Sequence, residues 1–484
     1  MNQEILKLEP QLVWKNFSKL NAVPRPSKKE ERVIQFMLDF GDSLGLETFK
    51  DDVGNVIIRK PASPGMENRK MITLQSHLDM VHQKNSATDF NFETQGIQML
   101  IDEDWVRAKG TTLGADNGMG VAAIMSLLES SDISHPPLEA LFTIDEETGM
   151  TGAQGLQANI LKGKILLNLD TEEDDEIDIG CAGGVDITAS RSYKQKEVLQ
   201  NSSAYQIIIK GLQGGHSGMD IHKGFGNANK IMNRLLYTIS NNYEIGIANI
   251  NGGSLRNAIP RESVSAIVVN AAEKVSFEEK FRVWAGSIKE EYSFLEKNMT
   301  IELRDIILPK YVMEISAQQQ LLKAIYAAHN GVYSMSAAIP DLVETSNNIA
   351  RVEVGEGKVL IGCLTRSSVE TSKIDLANSL KSAFELAGCE VNFSGEYPGW
   401  EPNPNSDILK VLKEQYTTLF KETPKVVACH AGLECGILGQ HYPDIDMISF
   451  GPTIKGAHSP DERVSISSVE KFWKYLLEIL KNTP

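Results

Sequence analysis

Five histidine and acidic residues stand where short apolar segments of the sequence end or where a helix begins. They are His77, Asp116, Glu147, Asp170 and His458. Imidazole nitrogens and carboxylate oxygens are ligands that zinc takes in proteins. Each residue has a plainer explanation when taken singly, such as a helix N-cap for Asp116 or a solvated turn for an acidic run. Taken together, the five favour a dinuclear zinc site in which one carboxylate bridges the two metals.

Short apolar strands must position these residues, and each strand runs directly into polar side chains. The predicted strands are 71–74, 141–144, 165–169 and 446–450. Helical patterns alternate with them, most clearly at 117–130, and this alternation predicts an α/β sheet covered by helices on both faces. Ligands gather outside the C-terminal ends of the strands in such sheets. The five residues are therefore expected to converge on one edge of one sheet.

The middle of the chain predicts a separate, smaller α+β domain inserted into the α/β domain. Its predicted strands are 204–210, 264–270 and 359–364, and its predicted helices are 227–240, 277–297 and 374–386. Segments 180–184 and 396–404 are rich in glycine or proline, which is typical of domain boundaries. The predicted organisation is a catalytic domain at 1–184 and 398–484, with a lid and dimerisation domain at 185–397.

Composition narrows the classes of function. The chain has 484 residues and a net charge of −16, which argues against nucleic acid or an anionic membrane as the main partner. The N-terminus lacks the apolar core of a signal peptide, and no apolar run is long enough to span a bilayer. Five scattered cysteines without a CxxC pair do not resemble a disulfide framework or a zinc ribbon. These features predict a cytoplasmic protein.

Five motifs, in this order, carry a family resemblance: SHLDM, GADNG, DEETG, NLD and GAHSP. The chain resembles the dinuclear zinc peptidases that include carboxypeptidase G, aminoacylase, succinyl-diaminopimelate desuccinylase and the carnosinases, and the resemblance covers essentially the whole sequence. Further motifs are most similar to the cytosolic aminoacyl-histidine dipeptidase branch, namely VWKNFSKLNAVPRPSKKEE, TTLGADNGMG, GLQGGHSGMDIHKGFGNA, NAIPRE and HAGLECG. The resemblance implies a catalytic α/β domain interrupted by a smaller lid domain that commonly mediates dimerisation.

The resemblance also implies a role for each residue of the site. One zinc would be held by His77, Asp116 and Asp170, and the other by Asp116, Glu147 and His458. Asp79 matches the residue that orients the His77 ring, and Glu146 matches the general base. Two Zn²⁺ per chain are expected, with Mn²⁺ or Co²⁺ as substitutes.

Residues of the lid and of the HAGLE motif are candidates for substrate binding. His216 resembles a family histidine that reaches a neighbouring active site and helps to stabilise the oxyanion, which implies a homodimer formed through the lid. Arg366 and Asn257 are candidate anchors for the C-terminal carboxylate of the substrate, because a guanidinium fork suits a carboxylate. A surface salt bridge is the plainer explanation for Arg366. Gly432 and Glu434 are expected near the free amine of the substrate.

The predicted function is zinc-dependent hydrolysis of small dipeptides, in which Glu146 takes the proton of a water activated by the two metals. One alternative is an N-acyl amino acid deacylase or desuccinylase. The metal ligands do not separate the two, because the metals act on the amide bond that both substrates contain. The other alternative is a metal-binding assembly protein without catalysis, which the presence of Glu146 and all five ligands disfavours.

Overall fold

The computed structural model describes residues 4–484, which divide into two compact units. Within these residues, the first unit consists of 4–180, Trp400–Ala428 and Leu433–Pro484, and the second of Cys181–Gly399 and Cys429–Gly432. The sequence placed the two boundaries a few residues away, after 184 and after 397, and did not anticipate the short segment 429–432. That one unit is catalytic and the other a lid remains a prediction.

A mixed sheet of eight strands forms the centre of the first unit. In sheet order its strands are Glu47–Lys50, Val56–Lys60, Leu138–Thr143, Ile72–His77, Ile165–Asn168, Asp446–Ser449, Glu176–Cys181 and Lys425–Cys429. The four central strands, from Leu138–Thr143 to Asp446–Ser449, run parallel. Ile72–His77 and Leu138–Thr143 are buried along their whole length, as expected for central strands with both faces covered. Their carboxyl ends share one edge, where the predicted ligands begin.

Helices and a small second sheet complete the first unit. The helices are Gln11–Asn21, Glu31–Ser43, Ala115–Glu129, Thr151–Gly155, Asp407–Phe420, Glu434–His441 and Ile466–Asn482, with a 3₁₀ turn at Ile5–Lys7. The small sheet contains Ile454–Lys455, Arg463–Ser465, Trp105–Ala108 and Met99–Asp102. Pro24 and Pro26 fall in the break between the first two helices.

The helix Ala115–Glu129 packs unusually close to the central strands. A Cβ atom at Gly120 would lie 2.4 Å from Ser76 Oγ and 2.7 Å from the carbonyl oxygen of Leu169. Only glycine therefore permits this approach. The backbone of Asp116 and Asn117 is not helical, with a ψ of 115° at Asp116 and a φ of −100° at Asn117. The regular helix therefore begins after Asn117, close to the start predicted from the sequence, and Asp116 lies at its N-terminal boundary.

The second unit is built on a nine-stranded antiparallel sheet. Its strands, in sheet order, are Thr300–Asp305, Ser202–Lys210, Ser263–Asn270, Ile245–Gly252, Val343–Gly355, Lys358–Ser367, Gly183–Ser192 and Glu390–Tyr397, with Gly331–Met335 paired to Val343–Gly355. Two ribbons pair Gln195–Glu197 with Tyr311–Met313 and Gly215–His216 with Ala258–Ile259. The helices are Ala228–Ser240, Lys274–Tyr292, Ile315–Ala327 and Glu370–Leu386, and 3₁₀ turns lie at Ile221–Lys223 and Ala271–Glu273.

The α+β composition predicted for the inserted segment agrees with this unit, although its sheet is larger than the sequence indicated. Val343–Gly355 escaped prediction because four consecutive buried residues in it, Thr345 to Asn348, are polar. The helix predicted over 277–297 runs instead from Lys274 to Tyr292. Within residues 4–484, no helix combines the length and the apolar character that crossing a membrane requires.

Candidate metal centre and active site

The five predicted ligands and Glu146 lie together at the carboxyl edge of the first unit's sheet. Three groups have ligand atoms within 4.8 Å of one another: His77, Asp116 and Asp170; His77, Glu146 and Glu147; and Asp116, Glu147 and His458. We call the first the His77 cluster and the last the His458 cluster. Asp116 belongs to both, because its Oδ1 lies 3.1 Å from His77 Nε2 and its Oδ2 lies 3.3 Å from His458 Nε2. One carboxylate thus stands between two imidazoles, as a bridging ligand would.

The ring of His77 is oriented by Asp79. His77 Nδ1 lies 3.4 Å from Asp79 Oδ1 and 3.2 Å from the Asp79 carbonyl oxygen, so Nδ1–H donates to this residue. Nε2 then faces Asp116 and Asp170, whose Oδ1 lies 3.5 Å away. A histidine with Nδ1–H tied to a carboxylate presents Nε2 as a metal ligand in a fixed tautomer and orientation.

Asp79 holds the acidic pair as well as the histidine. Its Oδ1 accepts a hydrogen bond from the N–H of Glu146 at 3.0 Å, and its Oδ2 accepts one from the N–H of Glu147 at 3.3 Å. Burial would raise the pKa of Asp79, but the hydrogen bond and charge of His77 lower it. A single buried carboxylate therefore positions residues of two neighbouring strand ends.

Asp145 has a structural part in the acidic triplet. Its φ of 55° lies in the left-handed region, and its carboxylate accepts hydrogen bonds from the hydroxyls of Thr148 and Thr151. Lys28 Nζ lies 3.1 Å from the same carboxylate. Asp145 therefore shapes the turn and is neutralised by a lysine, which leaves Glu146 and Glu147 to the site.

The electrostatics of the clusters indicate a demand for positive charge. Burial raises the pKa of Glu146 well above its usual range, and burial with the nearby carboxylates raises that of Asp170 to about 6. Hydrogen bonds to Asp116 and Glu147 raise the pKa of His458 to about 11. Among the described residues, the buried atoms Glu147 Oε1 and Asp170 Oδ1 have no hydrogen-bond partner. Unsatisfied oxygens in a cluster rich in negative charge fit divalent cations.

Glu434 is a further buried acid beside this edge of the sheet. Its Oε2 accepts hydrogen bonds from Thr143 Oγ1 at 2.6 Å and from Gln75 Nε2 at 2.7 Å. Its Oε1 is buried and has no partner among residues 4–484. Burial raises the pKa of Glu434 to about 8, and the negative charges of Asp170 and Asp79 act in the same direction.

The predicted substrate-binding residues His216, Asn257, Arg366 and Gly432 all belong to the second unit. His216 and Asn257 are neighbours, because Gly215–His216 pairs with Ala258–Ile259 and the N–H of Ser217 donates to the Asn257 carbonyl at 2.7 Å. His216 Nδ1 accepts hydrogen bonds from the N–H groups of the next residues, Gly218 and Met219, at 3.2 and 3.1 Å. The ring proton of neutral His216 is therefore on Nε2. Burial and the charge of Arg366 lower the pKa of His216 to about 4, which leaves it a neutral donor.

Arg366 is only 5% exposed, so the alternative of a surface salt bridge is wrong. Its Nη1 donates to Tyr397 Oη at 2.7 Å, and its buried Nε has no partner. No carboxylate of the described residues lies within ion-pair distance of it. A buried guanidinium without a paired acid is suited to an anion from outside the chain.

His430 is a neighbour of Arg366 that the sequence did not single out. Its Nε2 lies 2.8 Å from the hydroxyl of Ser346, and Ser346 is the strand partner of Arg366. Burial and the charge of Arg366 lower the pKa of His430 to about 3. Gly432 follows two residues later, in the segment 429–432. His430 lies in the HAGLECG motif, but the spacing of residues around it does not distinguish a histidine of the site from a histidine of the hydrophobic core.

Comparison with known proteins places the chain in a family. The model of the family described as Peptidase family M20/M25/M40 matches residues 73–482. The chain belongs to this family. It is 42% identical to the cytosol non-specific dipeptidase of Escherichia coli K12 over 482 residues, which cover 99% of each chain. The family resemblance inferred from the motifs is thereby confirmed, and the M20 chain is a hydrolase of peptide bonds.

Solved structures agree with this assignment. The aminoacylhistidine dipeptidase of Vibrio alginolyticus matches with a TM-score of 0.94 at 42% identity, covering 100% of this chain and 99% of that one. Aminopeptidase PepT of Bacillus cereus matches with a TM-score of 0.57 at 16% identity, covering 98% of each chain, and shares the fold alone. The M20 peptidase fold is thus the fold of this chain.

Proposed function

We propose that this M20 peptidase is a dipeptidase that works with two divalent metal ions. Dipeptides are proposed as the substrates because the chain is similar to the E. coli cytosol non-specific dipeptidase along 99% of both chains. The requirement for two metal ions is proposed because two clusters of potential ligands share Asp116. Zinc is the expected metal, with Mn²⁺ or Co²⁺ as substitutes, and the expected location is the cytoplasm.

The His77 cluster would hold one metal and the His458 cluster the other. When bound, two such ions polarise the scissile carbonyl and lower the pKa of a shared water toward 7. The protein's part is to fix the ligands. Asp79 keeps Nδ1 of His77 protonated and Nε2 free to ligate, and the same carboxylate holds the backbone of Glu147.

Glu146 is the proposed general base. It lies in one group with His77 and Glu147, and Asp79 holds its N–H. Glu146 takes a proton from the attacking water and delivers it to the nitrogen of the leaving amine. The water oxygen forms the new bond to the carbonyl carbon, and the carbon–nitrogen bond breaks. The products are an acid and a free amine.

Arg366, with Asn257 beside His216, is the proposed anchor for the C-terminal carboxylate of the substrate. The support is a buried guanidinium that lacks a carboxylate partner among the described residues. His216 donates from Nε2 to the carbonyl oxygen as negative charge develops on it. We extend the family resemblance to propose that His216 acts in the active site of a partner subunit, within a homodimer formed through the second unit.

Glu434 is proposed to bind the free amine of the substrate, next to Gly432. Its Oε2 is held by Thr143 and Gln75, and its buried Oε1 lacks a partner. An ammonium group would supply that partner and favour the ionised carboxylate. This observation favours dipeptides over N-acyl amino acids, which present no amine to this acid.

The test is a set of matched substrates: dipeptides that include carnosine, and the same dipeptides acetylated at the amine. We expect hydrolysis of the free dipeptides and little of the acetylated ones. Glu434→Gln should lower kcat/KM for free dipeptides about 10- to 100-fold, as expected for a lost ionic hydrogen bond, and should narrow the preference for a free amine. Faster cleavage of N-acyl substrates by the wild-type protein would favour the deacylase alternative.

A further inference from the structure

The carboxylate of Glu462 is buried against a turn of the first unit. Its Oε2 accepts hydrogen bonds from the N–H groups of Leu113 and Gly114 at 2.7 and 3.0 Å. Its Oε1 accepts them from Ala115 and Asp116 at 2.7 and 3.2 Å. Successive backbone N–H groups that converge in this way form a nest for an anion. Here the anion is the Glu462 carboxylate of the chain itself. The last of the four N–H groups is that of Asp116, the residue shared by both clusters.

Arg25 holds the same turn from its carbonyl side. Its Nη2 donates to the Gly114 carbonyl at 2.5 Å, and its Nη1 donates to the carbonyls of Leu78 and Asp79, both at 3.0 Å. Gly114 has a φ of 69°, and a Cβ there would lie 2.5 Å from Arg25 Nη2. The turn therefore has one conformation, fixed by a buried cation and a buried anion.

Glu462 also ends the turn that directly follows His458. The N–H of Glu462 donates to the Ser459 carbonyl at 3.1 Å, and the Ser459 hydroxyl donates to the Gly456 carbonyl at 2.7 Å. His458 lies directly before this turn and has a left-handed φ of 62°. Its Nε2 is 3.3 Å from Asp116 Oδ2. The Glu462 carboxylate thus connects the segment that contains His458 to the turn that contains Asp116, which lies 346 residues away in the sequence.

We propose that Glu462 is a positioning residue for the metal centre, which holds Asp116 and His458 at the separation that the His458 cluster needs. The proposal rests on the proposed function, because it assigns a role toward the second metal. Asp116 belongs to both clusters, but the His77 cluster depends less on this contact, because its other two members are fixed by the sheet: His77 ends one central strand and Asp170 follows another. A residue that merely stabilised the fold would affect both metals alike.

Glu462→Gln is the decisive variant. The amide keeps one oxygen, but its NH₂ group faces two N–H donors, so two of the four hydrogen bonds are replaced by contacts between donors. We expect the affinity of one of the two metals, assigned to the His458 cluster, to fall about 10- to 100-fold, and that of the other metal to change much less. Glu462→Asp keeps the charge but is one methylene shorter, so an intermediate loss is expected. The measurement is calorimetric titration of Zn²⁺ into the chelated full-length protein.

Glu139→Gln is the matched control. Glu139 is a buried carboxylate of the same unit that accepts the N–H groups of Lys162 and Gly163 at 2.9 and 3.2 Å. It lies near the start of its strand, whereas the clusters lie at the carboxyl ends. We expect this variant to melt at a lower temperature while both metal affinities stay as in the wild type.

Several outcomes would overturn the role of Glu462. The first is a Glu462→Gln variant that binds both metals with wild-type affinity. The second is a Glu462→Gln variant in which the affinities for both metals fall by the same factor. The third is a Glu139→Gln variant in which metal affinity falls as much as in Glu462→Gln. If Glu462→Gln does not fold, Glu462→Asp decides: a selective loss of affinity for one of the two metals supports the role, and unchanged affinities overturn it. Fewer than two metals in the wild-type protein would instead contradict the proposed function, and this inference with it.

Discussion

Arg366→Met tests the carboxylate anchor by removing a buried charge with no carboxylate partner in residues 4–484. Arg366 is 5% exposed and donates to Tyr397 Oη, so methionine replaces it in an enclosed place. The fold should tolerate the change, because a buried guanidinium without a paired acid carries an unrepaid desolvation cost. What the variant should lose is the interaction with the C-terminal carboxylate of a dipeptide.

The expected loss follows from the strength of ionic hydrogen bonds. A hydrogen bond to a charged group contributes about 1.5–3 kcal/mol, which corresponds to about 10- to 150-fold in kcat/KM. Because Tyr397 occupies only one of the guanidinium N–H groups, at least one such bond to the substrate is available. Arg366→Lys keeps the charge without the fork and should lose less.

The assay compares a dipeptide with its C-terminal amide. In the wild-type protein we expect the dipeptide to be preferred, and in Arg366→Met we expect the preference to vanish while the slow rate on the amide stays. Arg234→Met is the control, because Arg234 forms an exposed pair with Glu291. Equal losses on the dipeptide and the amide, or an unchanged preference, would refute the assignment of Arg366.

Three further predictions concern the base, a buried histidine and the dimer. Glu146→Gln should lower kcat at least about 100-fold with both metals retained by elemental analysis, and near-normal turnover would show that the base is misassigned. His430 has a pKa of about 3 in the fold, so the unfolded chain takes up its proton first as the pH falls below 6.5. The free energy of unfolding should therefore fall by about 2 kcal/mol from pH 7.5 to 5 because of His430. Denaturant unfolding of His430→Gln should show a pH dependence smaller by that amount, and the same pH dependence in the variant and the wild type would contradict the prediction. His216→Ala mixed with Glu146→Gln under subunit exchange should recover about a quarter of wild-type activity if His216 acts in trans, whereas exchange without recovery would mean that it does not.

The sequence predicted which residues gather at this edge of the sheet, because strand ends are local features. His77, Glu147 and Asp170 each follow an apolar run, and parallel strands bring such ends to one edge. Asp116 was open to explanation as a helix cap, and the structure places it at the non-helical start of the helix, with its carboxylate between two imidazoles. Residue type and spacing were sufficient to predict that these residues lie together, and their role as ligands stays a prediction.

The contacts that hold the ligands in place escaped prediction because their partners are distant in the sequence. Glu462 binds amides that lie 346 to 349 residues away, and Arg25 binds carbonyls 53 to 89 residues away. A lone buried Glu or Arg has no periodicity that would reveal such a partner. The strand Val343–Gly355 was missed for a similar reason, because its buried Asn347 and Asn348 side chains donate to carbonyl groups that only the fold brings near.

Reconstitution of the chelated protein with Zn²⁺ tests the dinuclear account most directly. The measurement follows dipeptide hydrolysis and bound metal on the same sample as metal is added in steps. The shared position of Asp116 between His77 and His458 predicts two metals per chain at full occupancy, with most of the activity appearing with the second equivalent. Full activity with one equivalent or with none, or a plateau at one bound metal in an active protein, would contradict the account.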